Sequence, residues 1–170
     1  MFEVQVVLVL AVAATAAAID FRTGEIPNWL TLPPLAIAPL AYFWLGGTQG
    51  LTASLVAIVA CGLVPYILFR QDAIGGGDVK LLAALGAIGG LYLGIEAQLF
   101  AFLAAAGFAI VLIAWQGSLR ATLVTSARIV VNPFLPKSKR RSIDPAGLTA
   151  IRLGPAILFG TVVASWGANG

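Results

Sequence analysis

The chain of 170 residues has no histidine, one cysteine, one methionine and only 10% charged residues. Each scarcity removes a class of chemistry. A lone cysteine, Cys61, cannot close a disulfide within the chain, and zinc sites built on thiolate or imidazole lack their ligands. Without histidine there are no Ser-His or Cys-His dyads and no His-Glu-x-x-His metalloprotease motif. No metal and no cofactor is expected, and if the protein is a hydrolase, carboxylates must move the protons. The low charge accompanies 60% hydrophobic residues and a mean hydropathy of +0.99, values outside the range of soluble globular domains. Apolar runs recur along the whole length between short polar breaks. The expectation is a single all-α, polytopic, membrane-embedded domain over residues 1–170, with no soluble module.

Six spans are expected, at about residues 4–19, 30–45, 51–69, 79–93, 97–115 and 147–166. The first contains "AATAAA", like a signal-peptide cleavage region, but its leading residues carry Glu3 and no Lys or Arg, so it reads as a retained helix. Arg22 lies between spans one and two, Arg70 between three and four, and Arg120, Arg128, Lys137, Lys139, Arg140 and Arg141 between five and six; Lys80 and Arg152 border the same loops. The alternate connections, "GGTQG" and "GIEA", and both termini contain no basic residue. By the positive-inside rule the basic loops are cytoplasmic and both termini face outward.

That topology locates the acids. Span one ends at Asp20 and span four begins at Asp78. Two helices running in opposite directions would therefore bring these carboxylates to one depth, at the cytoplasmic edge of the hydrocarbon. Glu3 and Glu96 fall on the outer side, while Glu25, Asp72 and Asp144 fall in cytoplasmic loops, with Glu25 and Asp72 the nearest competitors for a catalytic role. An ionisable group at membrane depth is costly and defaults to function. Two carboxylates held close share one proton, which suits the chemistry of an aspartic protease: the ionised acid takes a proton from water while the protonated one hydrogen-bonds the scissile carbonyl. The "GGGD" of residues 75–78 would supply positive-φ freedom, close backbone approach and free N–H groups ahead of a helix. On its own a glycine cluster is only a turn; the second boundary acid changes the balance.

"DFRTGEIPNWLTLP" (20–33), followed by "GGGDVKLLAALGA" (75–87) and "RLGPAILFG" (152–160), resembles the prepilin peptidases, membrane aspartic proteases with one Asp in a D-x5-I-P-N-type segment and the other in a G-x-G-D-x-K-type segment. The resemblance spans nearly the whole chain. It implies that Asp20 and Asp78 are the catalytic pair and Gly75 and Gly77 the motif glycines. It also implies cleavage of the basic leader of type 4 pilin-like precursors at the cytoplasmic face of the bacterial inner membrane. Larger members insert a cytoplasmic methyltransferase domain with paired cysteines. No such insertion follows Arg22, so N-methylation is not expected, and the compact form is similar to the peptidases of tight-adherence (Flp) pili and to archaeal preflagellin peptidases.

Pro27 and Asn28 either shape the site or start a helix. Lys80 either meets the acid or the substrate, or anchors the helix at the interface. Gly86, Gly90 and Gly94 would line one helix face, and Pro33, Pro34, Pro39 and Pro65 would kink spans two and three. In the long basic loop, Leu119, Leu123, Ala127 and Val130 have helical spacing before "KSKRR", which fits a segment lying on anionic lipid. Membrane lipids and a prepilin are the expected partners; nucleic acid is not, because topology accounts for the basic residues. Two other classes stay open: a small transporter relaying protons through paired acids, and an inactive scaffold for pilus assembly.

Overall fold

The computed structural model of the chain describes residues 2–115 and 153–167. Four helices make up this part: α1 (Phe2–Thr23), α2 (Asn28–Phe69), α3 (Gly76–Trp115) and α4 (Leu153–Gly167). No strand occurs among the described residues. Three stretches, Glu3–Thr23, Asn28–Phe69 and Gly76–Val111, are long and apolar enough to cross a membrane, and α4 is a shorter apolar helix. The described residues are all-helical and have the character of a membrane protein. The basic amphipathic segment at 119–141 lies outside the described residues. The chain divides into two compact units, Met1–Ala105 with Arg152–Gly170, and Ala106–Ile151. Both aspartates belong to the first.

Neither long helix is continuous. α2 is broken at Gly46 (φ −137°, ψ 16°) and Gly47 (φ 59°, ψ −146°), and α3 at Gly90 (φ 81°, ψ 178°). At each break the chain doubles back: a side chain on Gly50 would run into the Tyr42 carbonyl, and one on Gly94 would lie 2.7 Å from the Gly86 Cα. Among the described residues the breaks leave six helical stretches. The prolines of α2 do not make these breaks, since all four lie where the backbone stays helical. Proline's fixed φ is compatible with a helix, whereas reversal here uses positive φ. The reversal in α3 also falls earlier than the expected "GIEA" connection, because Gly90 takes the turn and residues 94–97 are already helical. Gly86, Gly90 and Gly94 therefore do not form one continuous face. Gly86 and Gly94 meet across the turn, and a side chain on either would reach within 2.6 Å of Cys61 Sγ.

The first stretch of α3 is the centre of the unit. Leu81 through Ile88 are all buried, so neighbours surround this helix on every side. α1 contributes a stripe of Val6, Val9, Ala13, Ala16, Ala17 and Asp20, spaced three or four residues apart. α4, which packs along α1, buries Gly154, Ile157, Gly160, Thr161, Ala164 and Ser165 on one face. The opposite faces expose Val7, Leu8, Ile37, Leu55 and Val59, as lipid-facing positions would. Trp44 and Tyr92 beside the two reversals, and Trp166 at the end of α4, are also exposed. Amphipathic rings at that level match an interfacial belt.

The break at Gly90 has a polar consequence. A helical hydrogen bond onto the carbonyl of residue n passes through residues n+1 to n+3, so a non-helical Gly90 disrupts the bonds onto Ala87, Ile88 and Gly89. Side chains take two of the three: Ser54 Oγ donates to the Ala87 carbonyl (3.2 Å) and Tyr42 OH to the Ile88 carbonyl (2.7 Å). Gln5 Nε2 in turn donates to Tyr42 OH (2.8 Å), tying α1 and α2 to the end of the central stretch.

Candidate active site

Asp20 closes the buried stripe of α1. It is only 5% exposed, and its Oδ2 accepts the N–H of Gly154, at the start of α4, at 3.0 Å. The helix ends just beyond it, where Gly24 (φ 76°) donates its N–H to the Asp20 carbonyl. Placing a carboxylate on the core side of an apolar helix is expensive unless it finds a donor. The α4 N-terminus supplies one, because first-turn N–H groups have no partner in their own helix.

Asp78 stands in the first turn of α3. It is partly buried, and its Oδ2 accepts the Gly75 N–H at 3.1 Å, while the Gly75 carbonyl accepts the N–H groups of Asp78 (3.2 Å) and Val79 (3.4 Å). This is the acid half of a capping box, so the side chain also fastens the start of its helix. The two aspartates come from separate helices, but Ile26, shortly after Asp20, lies against Gly77, the neighbour of Asp78, so both acids stand at the same end of the unit.

The triglycine segment differs from its expected form. Gly24, Gly47 and Gly90 have positive φ, and none of Gly75, Gly76 and Gly77 does. Gly76 and Gly77 already belong to α3. Gly77 serves close approach instead, since a Cβ there would lie 2.9 Å from Ile26 Cβ and 3.2 Å from the Ile26 carbonyl. The neighbour it admits is the α1–α2 connection of this chain.

Pro27 is the N-cap residue of α2 with an extended backbone (φ −73°, ψ 146°) and contributes no side-chain cap. Asn28 and Lys80, singled out separately in the sequence, are partners: Lys80 Nζ donates to Asn28 Oδ1 at 2.7 Å. With Ile26 against Gly77, this bond joins the two sequence motifs into one structure. Glu25 and Asp72, the competing acids, are exposed. Asp72 has φ 56° in the turn after α2. The residue that sequence reasoning missed is Gly154. Its segment was noted only as a whole, and the available signal was a glycine at the start of a late apolar helix.

Comparison with known proteins identifies the family. The profile of the type IV leader peptidase family matches residues 7–125. A prepilin leader peptidase/N-methyltransferase of Burkholderia pseudomallei is 40% identical over 114 residues, 61% of this chain and 35% of that protein. The protein of the same name from Vibrio cholerae is 33% identical over 98 residues, 50% of this chain and 38% of that protein. The matches thus span little more than a third of these relatives. No solved structure matches the chain.

Proposed function

Because this chain belongs to the type IV leader peptidase family, we propose that it is a membrane aspartic endopeptidase that removes the leader of type 4 pilin-like precursors, with Asp20 and Asp78 as its water-activating pair. The observation that supports the reading is that these two carboxylates stand at the same end of the unit, at the end of α1 and the start of α3, where each receives one backbone N–H and Ile26 lies against Gly77.

In the proposed reaction the pair holds one proton. The ionised carboxylate takes a proton from water as the water oxygen bonds to the scissile carbonyl carbon, and the protonated one donates a hydrogen bond to the carbonyl oxygen. The tetrahedral intermediate then collapses. Its C–N bond breaks, the leaving nitrogen takes a proton from the pair, and the new carboxyl terminus departs. No side-chain nucleophile enters, which suits a chain without histidine.

Six spans with both termini outside place the pair at the cytoplasmic face, and all ten basic residues fit that orientation. The six helical stretches and the exposed Trp44, Tyr92 and Trp166 support the same reading. The substrate would present its basic leader on that face and its hydrophobic helix to the membrane. We assign it to the Flp class on the compact form of the motif region: α1 ends at Thr23 and α2 begins at Asn28, so no domain is inserted between them. Leader cleavage without N-methylation is the activity proposed.

The test is cleavage of an Flp-type prepilin by purified protein in detergent, with Asp20→Asn and Asp78→Asn alongside. Wild type should release the leader, and each variant should be folded and inactive. Processing by either variant, or a proton-transport defect with normal precursor cleavage, would overturn the reading.

A further inference from the structure

We propose that Gly154 of α4 is a positioning residue for the aspartate pair: its N–H holds the Asp20 carboxylate, and it must be glycine because Asp20 fills the space a side chain would need. This inference rests on the reading of Asp20 given above. It concerns a residue beyond the 7–125 region that matches the family.

Three observations converge on it. Gly154 N–H donates to Asp20 Oδ2 at 3.0 Å in a buried contact between residues far apart in the chain. A Cβ on Gly154 would lie 2.7 Å from Asp20 Oδ2, 2.8 Å from Asp20 Cβ and 3.1 Å from Asp20 Cγ. Contacts that short require Asp20 to move, and its stem cannot swing away as the tip of a long side chain would.

Third, Gly154 lies within α4 and has no positive φ. Glycine's freedom at positive φ is therefore not what is used here, although Pro155 next in the chain also disfavours helical backbone at a residue bearing a Cβ. The packing reason for glycine comes from Asp20, which occupies the space of the missing side chain; the Asp20→Gly background separates it from the backbone effect of Pro155. Gly160 on the same face provides a contrast. A side chain there would run into the backbone of Ala97 and Ala101, so it serves helix packing alone.

The charged groups around Asp20 are few. On α3 they are Asp78 and Lys80; Arg22 and Glu25 follow Asp20 and are exposed; Arg70 and Asp72 occupy the α2–α3 turn. α2 carries none over Asn28–Phe69 and α4 none over Leu153–Gly167. Arg152 precedes α4 and lies outside the described residues. Among the described residues, the Gly154 N–H is the donor that fixes which way the Asp20 carboxylate faces.

Two measurements test this. The first needs no substrate: a thermal-melting cycle of Gly154→Ala, Asp20→Gly and the double variant. Gly154→Ala should lower Tm more in the native background than beside Asp20→Gly, where only the backbone effect of Pro155 remains; additive losses would overturn the proposal, whether or not the protein cleaves prepilins. The second is steady-state cleavage, separating kcat from KM, for wild type, Gly154→Ala and Gly160→Ala, with Asp20→Asn establishing the reaction itself. Displacement of a catalytic group by about 1 Å can cost roughly 10²-fold in rate. Gly154→Ala should therefore lose one to two orders of magnitude in kcat with KM unchanged. Gly160→Ala should lower Tm and leave kcat per folded molecule unchanged. A Gly154→Ala enzyme with the wild-type kcat, while Asp20→Asn is dead, would refute the proposal and leave the peptidase reading standing.

Discussion

Replacing Tyr42 by Phe removes one oxygen and breaks two contacts. The hydroxyl donates to the Ile88 carbonyl at 2.7 Å and accepts from Gln5 Nε2 at 2.8 Å. The break at Gly90 has already taken away the helical partner of Ile88. An unsatisfied buried carbonyl costs about 1–3 kcal/mol in soluble proteins, but side-chain hydrogen bonds within membranes average only about 0.6 kcal/mol and reach at most about 1.7. Tyr42 is partly buried, so the lower scale applies, and two bonds give about 1–2 kcal/mol. At roughly 2–4 °C per kcal/mol for a chain of this size, Tyr42→Phe should lower Tm by about 2–8 °C. Gln5→Leu breaks one of the two bonds and should cost about half as much. The measurement is thermal unfolding in detergent followed by tryptophan fluorescence, with prepilin cleavage by the folded fraction measured in parallel. Asp78 sits at the opposite end of the central stretch, so activity per folded molecule should persist. An unchanged Tm for Tyr42→Phe, or a larger loss for Gln5→Leu, would refute the view that these side chains replace the helical bonds lost at Gly90.

Two further substitutions probe the breaks and the link between motifs. Gly90→Ala should destabilise by about 1–3 kcal/mol on backbone grounds alone, since φ 81° disfavours a side chain although nothing lies within 4 Å of its Cβ. Gly107→Ala, equally unobstructed but helical, should be neutral or stabilising by up to about 1 kcal/mol; equal Tm shifts for the two would sink the argument. Lys80→Met and Asn28→Ala each remove the 2.7 Å bond joining the start of α2 to α3. Its exposure keeps the stability cost below about 1 kcal/mol, so the main effect should be on kcat/KM. The two losses should be similar and the double variant little worse than either, with a coupling of about 1 kcal/mol; fully additive defects would show that the pair does not act together.

Much of this protein is legible without coordinates. Composition fixes the membrane class, because a chain with so few charges cannot coat a soluble fold. The placement of basic residues yields an expected orientation, in which Asp20 and Asp78 would stand at one level. The first reversal falls inside "GGTQG" as expected, since adjacent glycines both permit positive φ and interrupt an apolar run.

What the sequence could not supply has one main physical cause. In a helix surrounded by lipid both faces are apolar, so no periodicity marks the face that turns inward. Nothing in "FEVQVVLVLAVAATAAAID" distinguishes the buried Val6, Val9 and Ala13 from the exposed Val7 and Leu8, or shows that Asp20 ends the buried stripe. Composition likewise could not choose between Gly90 and the "GIEA" stretch for the second turn. Packing decided it, because Gly86, Gly94 and Cys61 can meet only if the chain reverses between the two glycines. Gly154 is the extreme case. Its function depends on a neighbour distant in the chain, and only the tertiary structure puts its N–H against Asp20.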